Sequence, residues 1–203
     1  MSKLLVLAAV AAASLLPAQT LTQHDREFAM SHLHASRKLF LDAVAGLTPE
    51  QWNYKPSPDR WSAAECAEHI TVSEDVIFGL IQNQILKSPA EPEKRAEVKG
   101  KDEAVVEQIP DRSHKFTAPE MLTPKRRWQD PDAMIAHFKE SRDSHIHYVE
   151  TTQDDLRDHF MKHPAMGMLD GYQWILLLSA HTERHTAQIK EVLASWEHRA
   201  DTK

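Results

Sequence analysis

Within the run WILLLSAHTERHTAQIKEVLASW, the short stretch HTERH sets His181 and His185 four residues apart. Imidazoles at that spacing lie on one face of an α-helix about one turn apart, so both can point at a single ion. Their stripe continues through Trp174, Leu178, Ile189, Val192 and Trp196, which places the pair on the core side of the helix. Buried imidazoles need a hydrogen bond or an ion to satisfy them. A zinc protease does not fit. In H-E-x-x-H the glutamate directly follows the first histidine, whereas Glu183 comes two residues after His181, roughly 200° round the helix, and is expected to face solvent. A catalytic metal site usually has three protein ligands and an open position. His69 is the strongest third ligand, because it shares an inward stripe with Val72, Val76 and Leu80; His34 and His145 could enter from other helices.

Other histidines read differently. His159 and His163 repeat the spacing, but Pro164 ends regular structure beside them, so they are expected at a surface loop or helix end. His24, His114 and His198 fall near termini or in a long loop and read as solvated surface. Glu65 lies one turn before His69. It could support a ring N–H or act as the catalytic base; its other role is to close an S-x-x-E capping box with Ser62. Trp61 reads as packing.

Four segments of helical periodicity must position these groups. The first runs from about Thr22 to Gly46, the second from Ser62 to near Lys87, the third from Asp130 or Asp132 through Val149, and the fourth from near Asp170 to about Trp196. Between the first two, LTPEQWNYKPSPDR carries three prolines, which excludes helix through most of it. Residues 88–130 form a long charged, proline-bearing connection, expected to be a crossover, a lid or a mobile segment. Short links favour antiparallel neighbours and the long one allows the second and third helices to run parallel. The expected fold is an all-α four-helix bundle with a long crossover between helices two and three.

The 203 residues suit one domain. A net charge of −6 with scattered Lys and Arg argues against nucleic acid as a partner, and no P-loop or G-x-G-x-x-G is present. Residues 1–19 combine Lys3, an apolar run from Leu4 to Leu16 and then Pro17 and Ala18, the pattern of a signal peptide cut after Ala18 or Gln19. Export to a periplasmic or extracellular location follows as an expectation, with residues 20–203 as the mature domain and no stable membrane span in it. Cys66 is the single cysteine, so no intramolecular disulfide can form, and it is expected to be a small buried apolar side chain.

The stretch LTPEQWNYKPSPDRWSAAECAEHI, with its Trp61, Ser62, Glu65 and His69, taken together with HTERHTAQI, resembles the DinB superfamily in order and spacing. That resemblance implies up-down-down-up helices and a divalent metal, zinc or nickel most often, held by His69, His181 and His185 at one end of a cleft. It also implies metal-dependent transfer of small thiols or a related isomerisation, and no DNA binding. An export signal and a long crossover depart from that pattern. The functional expectation is an exported metalloprotein, a hydrolase or transferase acting on a small molecule, with a homodimer compatible. A non-catalytic metal- or ligand-binding helical module is the alternative, and a helical interaction protein using the crossover as a binding loop is a third.

Overall fold

Each long helix begins where a side chain can take up the unpaired N–H groups of its first turn. In the computed structural model, which describes residues 20–199, helix α1 spans Gln23–Val44 behind Thr22. After the short helix α2, Pro49–Asn53, helix α3 spans Ala63–Asn83 behind Ser62. Helix α4 covers Lys101–Gln108 and α5 covers Pro131–Thr151, with Asp130 as cap and Pro131 in the first turn. A hairpin of β1, Phe160–His163, and β2, Gly167–Asp170, leads into α6, Gly171–His198, capped by Asp170. Thr22, Ser62 and Asp170 each close a reciprocal capping box, with Asp25, Glu65 and Gln173 respectively. The signal-like residues 1–19 lie outside the described residues.

The bundle consists of α1, α3, α5 and α6, with α1 and α3 each packed against both α5 and α6. The Arg26 guanidinium at the start of α1 donates to the carbonyls of Val149 and Thr152 at the end of α5, so these two are antiparallel. Tyr172 at the start of α6 donates to the Asp25 carbonyl, so α6 runs parallel to α1. Asp75 meets His137 and Ser141, and Phe78 farther along α3 meets Tyr148 farther along α5, so α3 and α5 are parallel. The result is up-down-down-up, as expected.

Three connections carry more structure than their sequences suggested. Proline at the first helical position is compatible with a helix, since its missing N–H has no partner there anyway, and Thr48 caps the turn that Pro49 starts. Within 88–130, α4 packs on α6 through buried Val105, and Pro92–Val98 and Glu120–Leu122 form 3₁₀ turns. His159 precedes and His163 ends a strand rather than a helix: Phe160 and Leu169 are buried on opposite faces of the hairpin, and Gly167 turns it at φ +71°.

The apolar interior falls into two clusters, one around Leu33, Ile81, Leu156 and Ile175, the other around Phe40, Cys66, Ile70, Phe138 and Ile189. Polar groups lie between them. Arg142, fully buried, forms an ion pair with Glu74 and donates to Ser36 Oγ at 2.6 Å, Thr182 Oγ1 at 2.9 Å and the Leu33 carbonyl at 2.8 Å. His145 Nδ1 bonds Glu74 Oε2 at 3.1 Å. One residue set thereby joins all four long helices.

Candidate metal centre

On α3, His69 sits one turn past Glu65 on the face toward α6, and on α6 His181 and His185 stand one above the other opposite it. The antiparallel approach of these two helices brings the three rings together. His69 Nε2 lies 3.2 Å from His181 Nε2, and one ligand atom from each histidine falls within 4.8 Å of the others. Ring centroids are 4.3 Å apart for His69 and His185 and 4.5 Å for His181 and His185. Two nitrogens on a tetrahedral zinc at about 2.0–2.1 Å would be about 3.3 Å apart, so the closest pair suits a shared ion. His69 is buried, and His181 and His185 are mostly so.

The far nitrogens are also accounted for. His69 Nδ1–H donates to the carbonyl of Leu122 at 2.8 Å, and His185 Nδ1–H donates to Gln188 Oε1 at 3.0 Å. In a neutral ring that assignment leaves Nε2 with its lone pair toward the cluster. Burial pushes His69 below the ordinary imidazole range, against the opposing pull of the Leu122 carbonyl. Burial, and then the other imidazoles of the cluster, push His181 and His185 well below it. Neutral imidazole is the form that ligates. Trp61 walls the group, its ring centroid 4.9 Å from that of His69 and 6.1 Å from that of His185.

The remaining candidates lie elsewhere. Glu65 Oε2 accepts the Ser62 N–H at 2.8 Å and Oε1 pairs with Lys55 at 3.1 Å, so its carboxylate is engaged in the cap. His145 belongs to the polar layer, and His34, His24, His114 and His198 are exposed. His163 accepts the N–H groups of Ala165 and Met166 in the hairpin turn. Glu183 corrects an expectation: it is half-buried rather than solvent-facing, and burial raises its carboxyl.

Residues that sequence reasoning passed over also surround the cluster. Gln188 was findable, since i,i+3 places it beside His185. Leu122 was not, because a carbonyl contributed across 53 positions leaves no trace in residue type.

Comparison with known proteins agrees with the geometry. The DinB superfamily pattern matches residues 32–189. The chain is 26% identical over 163 residues to the uncharacterized protein YuaE of Bacillus subtilis (strain 168), covering 80% of this chain and 96% of that one. YfiT from Bacillus subtilis, described as a probable metal-dependent hydrolase with an unusual four-helix bundle topology, superposes with a TM-score of 0.55 at 15% identity, over 90% of this chain and 93% of that one. At that identity the likeness is one of fold.

Proposed function

The chain belongs to the DinB superfamily, and from that premise we propose that it is a metal-dependent enzyme, a hydrolase or transferase acting on a small molecule. The observation that carries this reading is the convergence of His69, His181 and His185, with the outer nitrogens of His69 and His185 already spoken for. A divalent ion held there supplies Lewis acidity and draws the pKa of a bound water or thiol toward neutrality. The chain's own groups do the rest. Leu122 and Gln188 hold protons on the Nδ1 atoms and so orient the rings, while Trp61 shields one side. A base role for Glu65 requires its Oε1 to leave Lys55; Glu65→Gln, which keeps the side-chain shape, should then lower turnover about 100-fold or more. The hydrolase description of YfiT points the same way.

Zinc or nickel is the ion in this proposal, export directed by residues 1–19 is its location, and a homodimer is the assembly to test. A non-catalytic binding module is the second reading, favoured by one observation: the carboxylates nearest in sequence to His69, Glu65 and Glu68, are both engaged in hydrogen bonds.

Metal content by inductively coupled plasma mass spectrometry decides first. Untagged protein should carry about one ion per chain, and a variant with His69, His181 and His185 all changed to Ala should carry none. Protein that takes up no zinc, nickel or manganese after soaking would sink the metal site. With the site established, stripping the ion separates the two readings: an enzyme loses turnover while staying folded, whereas a purely structural site loses melting temperature first.

A further inference from the structure

The two ends of the segment 109–127, within the long crossover, are held by charged residues that neighbour metal-site histidines in sequence. Glu68, 5% exposed and adjacent to His69, accepts the backbone N–H groups of Lys125 at 2.8 Å, Arg126 at 2.9 Å and Arg127 at 3.3 Å, and the Arg127 guanidinium at 2.7 Å. Turning three successive N–H groups onto one carboxylate accompanies a left-handed residue: Arg126, at φ +57°, is the one non-glycine residue with positive φ among the described residues. At the other end Arg184, 7% exposed and adjacent to His185, donates to the carbonyls of Ile109 at 3.0 Å, Asp111, and His114 at 2.5 Å. An acid therefore collects amides at one end and a base collects carbonyls at the other.

Between these anchors the segment reaches both oriented histidines. The Leu122 carbonyl, three residues before Lys125, receives the Nδ1 proton of His69. Arg112, between two carbonyls held by Arg184, donates to Gln188 Oε1 at 3.3 Å, the oxygen that also accepts from His185 Nδ1, and grips Glu191 at 2.7 and 3.0 Å.

We propose that Glu68 and Arg184 are positioning residues of the metal centre, which seat the 109–127 strap so that Leu122 orients His69 and Arg112, through Gln188, orients His185. Neither anchor touches the ion, and each acts on its own histidine. The proposal rests on the metal-site assignment of the preceding subsection and gives the crossover its role there.

The test compares the full chain with Glu68→Gln, Arg184→Met and Arg112→Gln, all checked for fold by circular dichroism. Two quantities are read: the imidazole tautomers of the metal-free proteins from ¹⁵N chemical shifts, and Co²⁺ affinity by competition with a chromophoric chelator. Glu68→Gln should shift His69 away from the Nδ1–H form, and with it His181, whose Nε2 lies 3.2 Å from His69 Nε2, whereas Arg184→Met and Arg112→Gln should shift His185 and leave His69 in place. A general loss of stability would not sort the histidines in that way. Co²⁺ affinity should fall roughly 10–100-fold for the two anchors and less for Arg112→Gln. Folded variants with wild-type tautomers and affinity would overturn the proposal. Should Arg184→Met fail to fold, Arg112→Gln decides for His185, and should Glu68→Gln fail, Arg127→Gln, which removes the guanidinium that Glu68 holds, decides for His69, since both arginine side chains are partly exposed. A wild type that takes no Co²⁺ would remove the metal site, while the tautomers alone would still show whether the anchors position the rings.

Discussion

Two histidine pairs share the same spacing in this chain, and what separates them is what each imidazole nitrogen faces. His181 and His185 point across to His69, whereas His163 turns its Nδ1 to the backbone of a hairpin. Replacing His185 with Ala should cut metal affinity by more than the 10–100-fold typical of an outer-sphere partner, and His163→Ala should leave it unchanged; chelator competition measures both. Loss of metal in His163→Ala would mean the wrong pair was assigned. Acid expels a metal by protonating its imidazoles. Because burial depresses all three groups, occupancy should fall at a pH below the ordinary imidazole value of about 6.5. Metal content across a pH series checks this, and half-loss at or above pH 6.5 would contradict the burial argument. Cys66 gives a simpler contrast. Burial pushes its thiol up, which keeps it protonated and inert in the folded chain.

At the scale of elements, the four helices are held in register by a charged layer rather than by apolar contact alone. Glu74 from α3 and Arg142 from α5 are both essentially out of solvent, with Thr182 of α6 and Ser36 of α1 completing their hydrogen bonds. Removing one partner strands the other charge, so Arg142→Met should destabilise by about 3–5 kcal/mol in urea unfolding. Changing Glu74→Leu as well removes the stranded charge and should recover most of that loss. A double variant as unstable as the single one would show that the layer contributes through packing. Ser62 offers a milder test. Ser62→Ala removes the α3 cap and should lose about 1 kcal/mol.

Over the whole molecule, these buried groups set how stability changes with pH. Burial disfavours the Glu74 charge, but Arg142 and the hydrogen bonds from His145 and Arg142 outweigh it and bring the carboxyl down to about 2. Its contribution is complete above the ordinary value of 4.5 and is lost as pH falls toward 2. The three depressed histidines act in the same direction at higher pH, since below about 6.5 the unfolded chain binds protons that the folded one refuses. Asp170 opposes them: burial lifts it to about 6 despite Arg157, so the folded state gains a proton there, and that contribution is lost as pH rises from 3.8 to 6. Glu183, raised by burial, opposes them as Asp170 does, while His32, His163, Asp25, Glu68 and Glu191 are lowered and add to them, so the metal-free protein should lose melting temperature from pH 6.5 downward. Calorimetry across pH 3–8 tests the sign, and a maximum near pH 4 would show that the raised carboxyls of Asp170 and Glu183 dominate.

Helix positions and types were open to inspection in the sequence because periodicity and caps are local: Thr22, Ser62, Asp130 and Asp170 mark four starts without any knowledge of packing. The three-histidine set was legible for a related reason, as inward stripes on two helices leave few buried imidazoles to meet. Short elements were not, since α2 and the 160–170 hairpin depend on a single proline in a permitted place and on burial supplied by distant residues. The state of the site lay further out of reach. His69 takes its tautomer from a backbone carbonyl 53 residues away, Glu68 closes on three amides 57–59 residues away, and only the folded path of the crossover brings them together. Which residues could converge on an ion is written in the residue types and their helical spacing, and so is Gln188 one turn from His185; which nitrogen His69 presents depends on the folded crossover, because it is set by a backbone carbonyl that no residue type records.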